Sequence, residues 1–161
     1  MIGGLLQGVT VIDLSRVLAG PYCTLMLAEL GADVIKIERP GIGDDSRAIG
    51  PFLKDRSAYF MSLNRGKKSI ALNLKDDDDK ALLLRMLAHA DVLVENYRPG
   101  TMEKLGLSWD FLHEKFPHLI VMSVSGFGQT GPYSDKPAYD MVVQAMGGIM
   151  SVTGEDGGHP V

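Results

Sequence analysis

The residues best suited to chemistry in this sequence gather just after its strand-like runs. At the first such junction, Asp13-Leu14-Ser15-Arg16-Val17-Leu18-Ala19-Gly20-Pro21, small residues stand at the expected start of a helix beside the guanidinium of Arg16. Backbone N–H groups at a helix N-terminus together with a neighbouring cation suit a phosphate. The same residues are equally compatible with a plain tight turn at Ala19-Gly20-Pro21. Three more runs end in cations or hydrogen-bond donors: Arg39 after the second, Lys75 after the third and Asn96-Tyr97-Arg98 after the fourth. One charge at a strand end is ordinarily just solvated. Ligands of open parallel sheets sit beyond the carboxyl ends of the strands, so the repetition predicts a rim for an anionic ligand.

Other motifs carry less. Gly126-Phe127-Gly128-Gln129-Thr130-Gly131 is a formal G-x-G-x-x-G after a strand. A dinucleotide fingerprint must open a helix, and Pro132 and Pro137 keep the following segment in turns. Asn64-Arg65-Gly66-Lys67-Lys68-Ser69 holds three cations in four residues and suits either a phosphate or plain surface solvation. His89, His113, His118 and His159 are scattered without metal-ligand spacing, so no metal site is expected. Cys23, the only cysteine, excludes an intrachain disulfide and reads as helix packing rather than as a nucleophile.

The elements that must position these residues alternate between short Val- and Ile-rich runs and segments of helical period, the pattern of a parallel sheet covered by helices. Strands are predicted at 9–14, 34–38, 69–74, 92–95 and 119–124. Helices are predicted at 19–30, 76–90, 101–105, 108–115 and 139–146, with Pro21 in a first turn, Gly31 just past an end and Ser108 as a cap. The Gly-, Pro- and charge-rich stretch 38–57 is too long for a plain connection and reads as functional. The end, Ser151 to Val161, reads as a loop.

With 161 residues, the chain has room for one core. Hydrophobic residues make up 45% and charged residues 22%, and mean hydropathy is +0.07, which excludes a disordered or low-complexity chain. Sixteen Lys and Arg against twenty Asp and Glu give a net charge of −4, so no overall affinity for nucleic acid is expected and any anion site must be local. No apolar run is long enough for a membrane span and the start lacks a leader pattern, so the chain reads as soluble and cytoplasmic, with no membrane partner. Asp76 to Lys80, DDDDK, matches a cleavage sequence engineered into expression vectors, but an acidic cluster also suits the positive end of a helix.

The stretches DLSRVLAGPYCTLMLAELGADVIKIERPGIGDDSR, NRGKKSIALNLK, ADVLVENYRPGTMEKLGL, SVSGFGQTGPY and AYDMVVQAMGG together resemble the class III CoA-transferases, the CaiB/BaiF family, along the whole chain. The resemblance implies an α/β fold with a Rossmann-like parallel sheet, helices on both of its faces and an incomplete C-terminus. It implies coenzyme A and acyl-CoA as substrates, a carboxylic acid as acceptor, no permanently bound cofactor, and an interlocked homodimer. By matching positions, it assigns CoA binding to Arg16, Val17, Leu18, Ala19, Arg39, Leu72, Asn73, Lys75, Asn96, Tyr97, Arg98 and Lys104. Tyr59, Tyr139 and Asp140 it assigns to the acyl side of the pocket.

Members of the family use an aspartate nucleophile in a Gly-Asp segment after the stretch equivalent to Thr153 to Val161. The nucleophile is therefore expected beyond Val161, with the chain an N-terminal portion that is inactive alone. A related α-methylacyl-CoA racemase would need the histidine of a Gly-His-Asp motif, where this sequence has Ala138-Tyr139-Asp140, so transfer is favoured over racemisation. A non-catalytic CoA-binding module is the third reading. Leu18 and Ile49 stand where formyl-CoA and oxalate transferases carry Gln and Trp, which points instead to succinyl-CoA and other dicarboxylate or branched acids.

Overall fold

The computed structural model describes residues 4–159. Its elements in chain order are β1 (Thr10–Asp13), α1 (Ala19–Glu29), β2 (Asp33–Glu38), β3 (Phe52–Leu53), β4 (Arg56–Ser57), α2 (Ala58–Asn64), β5 (Lys68–Ala71), α3 (Asp77–Leu87), β6 (Val92–Glu95), α4 (Thr101–Lys104), α5 (Trp109–Lys115), β7 (Ile120–Ser123) and α6 (Asp140–Met146). Short 3₁₀ turns lie at Asp45–Ala48 and Ile149–Val152. The chain divides into two compact units, Met1–Val124 and Ser125–Val161.

The first unit holds a five-stranded sheet in the order β5-β2-β1-β6-β7, with every neighbouring pair parallel. Alternation along each strand sends residues to opposite faces. Val11, Val34 and Val94 pack with Ala32 and the partly buried Leu27 and Ala28 of α1 on one face. Ile12, Leu14, Ile37 and Leu93 meet Leu83 and Leu87 of α3 and Leu112 of α5 on the other. Helices thus cover both faces, the α/β architecture predicted from the sequence.

Local chemistry fixes the ends. Asp76 caps α3 by accepting from the N–H groups of Asp78 and Asp79, both at 3.1 Å, and places Asp77, Asp78 and Asp79 in the positive first turn, so the acidic run works as a helix start. Ser108 caps α5 by accepting from the Phe111 N–H at 3.2 Å.

The stretch predicted as one long loop carries more structure than expected. It contains the 3₁₀ turn and the hairpin β3–β4, turned by Lys54 and Asp55 at φ 49° and 61°, and leads into α2, which Ser57 caps through the Phe60 N–H at 3.0 Å. The third sheet strand, expected at 69–74, runs Lys68–Ala71 and stops before Leu72. Asn73 leaves the ladder because its backbone N–H is taken by Asp79 Oδ2 at 2.8 Å, so Leu72 to Lys75 form a loop at the strand's carboxyl end. The second unit holds α6 and the 3₁₀ turn after it; the final Pro160 and Val161 of the expected terminal loop lie outside the described residues.

Candidate functional site

A cavity of about 510 Å³ opens where β1, β2, β5 and β6 end. Strand order runs outward in two directions from the β1–β6 boundary, and at such a reversal the loops part to leave a crevice. Ser15 and Arg16 line it after β1, Arg39 after β2, Leu72 to Lys75 after β5, and Tyr97 after β6. Its floor is apolar where Ile37, Leu72, Leu74 and Leu105 meet, and its rim is cationic.

Of the residues assigned from the sequence, the structure gathers Arg16, Arg39, Leu72, Asn73, Lys75 and Tyr97 around this one cavity. Arg16 lies over the Tyr97 ring at 5.3 Å from its centroid and pairs through Nη1 with Asp45 Oδ2 at 3.1 Å, while Arg39 Nη2 pairs with the other oxygen of Asp45. Burial pushes the Tyr97 phenol up, so it stays a neutral donor. Asn96 does not line the cavity; its amide binds the main chain of Arg16. Val17, Leu18 and Ala19 are exposed along the turn into α1, and Arg98 and Lys104 are exposed outside the cavity lining. Tyr59 is half-buried on α2, also away from the lining. Tyr139 and Asp140 belong to the second unit, where Tyr139 is exposed and Asp140 accepts from Gln144 Nε2.

Beneath the rim lies a buried ion network that the sequence reading missed. Lys36 Nζ, 1% exposed, pairs with Asp44 Oδ2 at 2.8 Å and donates to the Ser15 carbonyl at 2.7 Å. Asp13, its register partner on β1, accepts from the Ser15 N–H at 2.9 Å, from Ser15 Oγ, and from Thr24 Oγ1 at 2.6 Å.

Lys67 completes the network. Its ammonium group reaches Asp13 Oδ2 at 3.1 Å, the Pro21 carbonyl at 2.9 Å, Thr24 Oγ1 at 2.7 Å and Asn64 Oδ1 at 3.0 Å. Burial pushes this ammonium below its ordinary pKa against the pull of Asp13. The basic run around Lys67 therefore divides: Lys67 is buried and structural, while Lys68 and Arg65 stay at the solvated surface, paired with Asp33 and Glu29. The signal for Lys36 was present in the alternation of Val34-Ile35-Lys36-Ile37-Glu38, which puts Lys36 and Glu38 on the face that carries Val34.

Two glycines let the backbone close up around the cavity. A Cβ on Gly20 would lie 2.2 Å from Ser15 Cβ, so only glycine lets α1 start against the Ser15 turn. Gly43, at φ +75°, sits where a Cβ would meet Arg47 Cδ at 2.7 Å and Glu38 Oε2 at 2.8 Å.

Cys23 is half-buried with its Sγ 3.7 Å from Met122 Sδ, and burial pushes its thiol up, away from nucleophilic character. The Gly126–Gly131 motif lies in bends and opens no helix, and α6 begins only at Asp140. A dinucleotide-type helix start is absent there. No helix among the described residues is long and apolar enough to cross a membrane.

The family model described as CoA-transferase family III matches residues 6–161. An acetyl-CoA:oxalate CoA-transferase of Acetobacter aceti is 55% identical over 157 residues, spanning 98% of this chain and 40% of that protein. A succinyl-CoA:glutarate CoA-transferase of Mus musculus is 49% identical over 157 residues, spanning 97% of this chain and 36% of that protein. A crystal structure of a CAIB/BAIF family protein from Brucella suis matches with a TM-score of 0.93 at 43% identity, over 99% of this chain and 43% of that one. The chain thus spans about two fifths of the length of these relatives. Sequence and fold agree that this chain belongs to CoA-transferase family III.

Proposed function

We propose that this chain is the CoA-binding portion of an enzyme that moves CoA from an acyl-CoA donor to a carboxylic acid. The observation that carries the reading is the convergence of Arg16, Arg39 and Lys75 on the rim of one cavity with an apolar floor. That combination suits a ligand with phosphates at one end and a largely apolar arm. Asn73, Arg98 and Lys104 extend the polar rim in this reading, Asn96 backs it through the main chain of Arg16, and Tyr59, Tyr139 and Asp140 belong to the acyl side.

In the reaction proposed for the intact protein, an aspartate oxygen attacks the thioester carbonyl and expels CoA thiolate, leaving a mixed anhydride. The thiolate then attacks the aspartyl carbonyl, releasing the donor acid and forming an enzyme thioester. The acceptor carboxylate attacks that thioester, freeing the thiolate again, and the thiolate takes the acceptor's acyl group and restores the aspartate.

Residues beyond Val161 supply that aspartate in this proposal. Two acids line the cavity among the described residues, Glu38 and Asp44, and both are committed, Glu38 to Arg47 and Asp44 to Lys36. Names of the relatives pair acetyl-CoA or succinyl-CoA with oxalate, glutarate or mesaconate, so a dicarboxylate acceptor is proposed here. A relative at 55% identity is named for oxalate, so oxalate stands among the acceptors proposed here, beside the dicarboxylates that Leu18 and Ile49 favour. A cytoplasmic homodimer completes the proposal.

Titration calorimetry with CoA, dephospho-CoA and adenosine tests it. Arg39→Ala and Lys75→Ala are each expected to weaken CoA by about 10-fold or more, the scale of a charge-assisted hydrogen bond, while leaving adenosine unaffected. Equal binding of all three ligands would remove the phosphate rim from the argument.

A further inference from the structure

The turn between β1 and α1 is held in a conformation its sequence disfavours. Val17 has φ +66°, a left-handed geometry that a β-branched side chain resists. Nothing in Val17 itself explains this, since its side chain is exposed and packs into no core. The cause lies in what grips the backbone on either side. Asn96, just after β6, uses both ends of its amide on Arg16: Oδ1 accepts from the Arg16 N–H at 2.7 Å and Nδ2 donates to the Arg16 carbonyl at 2.8 Å. One residue on, the Val17 N–H donates to Asp44 Oδ1 at 3.1 Å, and Asp44 is anchored by Lys36 and by the Ser46 N–H at 2.9 Å. The turn is thereby clamped by the segments that follow β6 and β2 at once, across the point where the sheet order reverses. Local strain of this kind persists only where the surroundings over-determine it, and it collects at functional sites.

Resting on the reading of the cavity as a CoA site, we propose that Asn96 is a positioning residue that acts on the ligand through Arg16. Its amide spends its Oδ1 acceptor and one Nδ2–H on the Arg16 main chain and fixes the direction in which the Arg16 side chain leaves the turn. That side chain lies over Tyr97 and lines the cavity, whereas Asn96 does not line it. The consequence differs from direct contact. If Asn96 touched the phosphates itself, its loss would add to the loss of Arg16. Acting through Arg16, it has nothing left to contribute once the guanidinium is gone.

A double-mutant cycle in CoA affinity separates the two cases. Asn96→Ala is expected to weaken CoA by about 10-fold in the otherwise unchanged chain, on the scale of two lost hydrogen bonds, and by less than about 2-fold in an Arg16→Ala background. Equal losses in both backgrounds would overturn the inference and make Asn96 a ligand contact. Should Asn96→Ala fail to fold, the same cycle is run with Val17→Gly in all four proteins, because glycine adopts this φ without strain and keeps the turn formed. Equal losses there overturn the inference in the same way. Arg39→Ala, measured alongside, keeps the two levels apart: unchanged CoA binding in that variant defeats the CoA-site reading, while a loss in Arg39→Ala with additivity in the cycle defeats the positioning role alone.

Discussion

Glu38 closes β2 with its carboxyl group almost out of solvent, and its four hydrogen bonds decide its titration. Arg47 donates from Nε at 2.7 Å and Nη2 at 2.8 Å, Ser69 from Oγ at 2.6 Å, and Asp44 from its backbone N–H at 3.0 Å. Burial acting alone would raise the carboxyl. The bonds from Arg47, Ser69 and Asp44 outweigh it and hold the pKa at about 2. An unfolded glutamate titrates at about 4.3, so the folded state holds this proton less tightly than the unfolded one. The resulting stabilisation is complete above about pH 4.5 and is lost as the pH falls toward about 2. Asp44 works in the same direction, its own burial outweighed by Lys36 and Ser46. Urea unfolding followed from neutral pH downward is therefore expected to show stability falling through that acid window. Arg47→Met keeps a long stem near the Phe60 ring, over which the guanidinium now lies at 3.7 Å, but removes the pairing. It is expected to cost about 1.5–3 kcal/mol at pH 7 and to flatten the acid limb. An unchanged acid limb in Arg47→Met would show that Glu38 is not what titrates there.

At the scale of elements, the start of α1 makes a prediction whose sign runs against helix propensity. Gly→Ala inside a helix ordinarily stabilises by up to about 1 kcal/mol. At Gly20 the new methyl group would lie 2.2 Å from Ser15 Cβ and 2.6 Å from its Oγ, and Ser15 is buried and tied to Asp13, so it has nowhere to go. Gly20→Ala is expected to destabilise by about 1–3 kcal/mol in thermal or urea unfolding, an overpacking cost. A gain in stability would mean that the Ser15 turn yields easily. This junction was legible in the sequence as small residues beside Arg16, because strand-then-helix patterning located it and the cations at the other strand ends repeated the signal. The helices α3 and α5 were legible for a similar reason: Asp76 and Ser108 announce their starts. The hairpin β3–β4 was not, since its strands are two residues each and its left-handed turn residues are Lys54 and Asp55 rather than Gly or Asn. Nor was the role of Lys67. Lys67 and Lys68 are adjacent and chemically identical, and only the fold sends one into the Asp13 network and the other to solvent beside Asp33.

At the scale of the whole molecule, one side of the sheet's edge is open to association. Among the described residues β7 pairs only with β6. Val121 packs toward the core, while its neighbours Ile120 and Met122 are 64% and 39% exposed on the opposite face. Through the contact of Met122 with Cys23, that face continues onto α1, where Tyr22 and Met26 are each about half exposed. An edge strand with free backbone donors and acceptors and an apolar side is a template for pairing with another chain. A net charge of −4 spread over 161 residues opposes such pairing only weakly. The isolated chain is therefore expected to self-associate as its concentration rises, measured by light scattering. Ile120→Lys places a charge on the exposed side of the edge strand without touching the core, so it is expected to suppress association while changing unfolding stability by less than about 0.5 kcal/mol. Association that persists in Ile120→Lys would move the contact away from this edge, and a wild-type chain that stays monomeric at every concentration would show that the open face does not recognise itself.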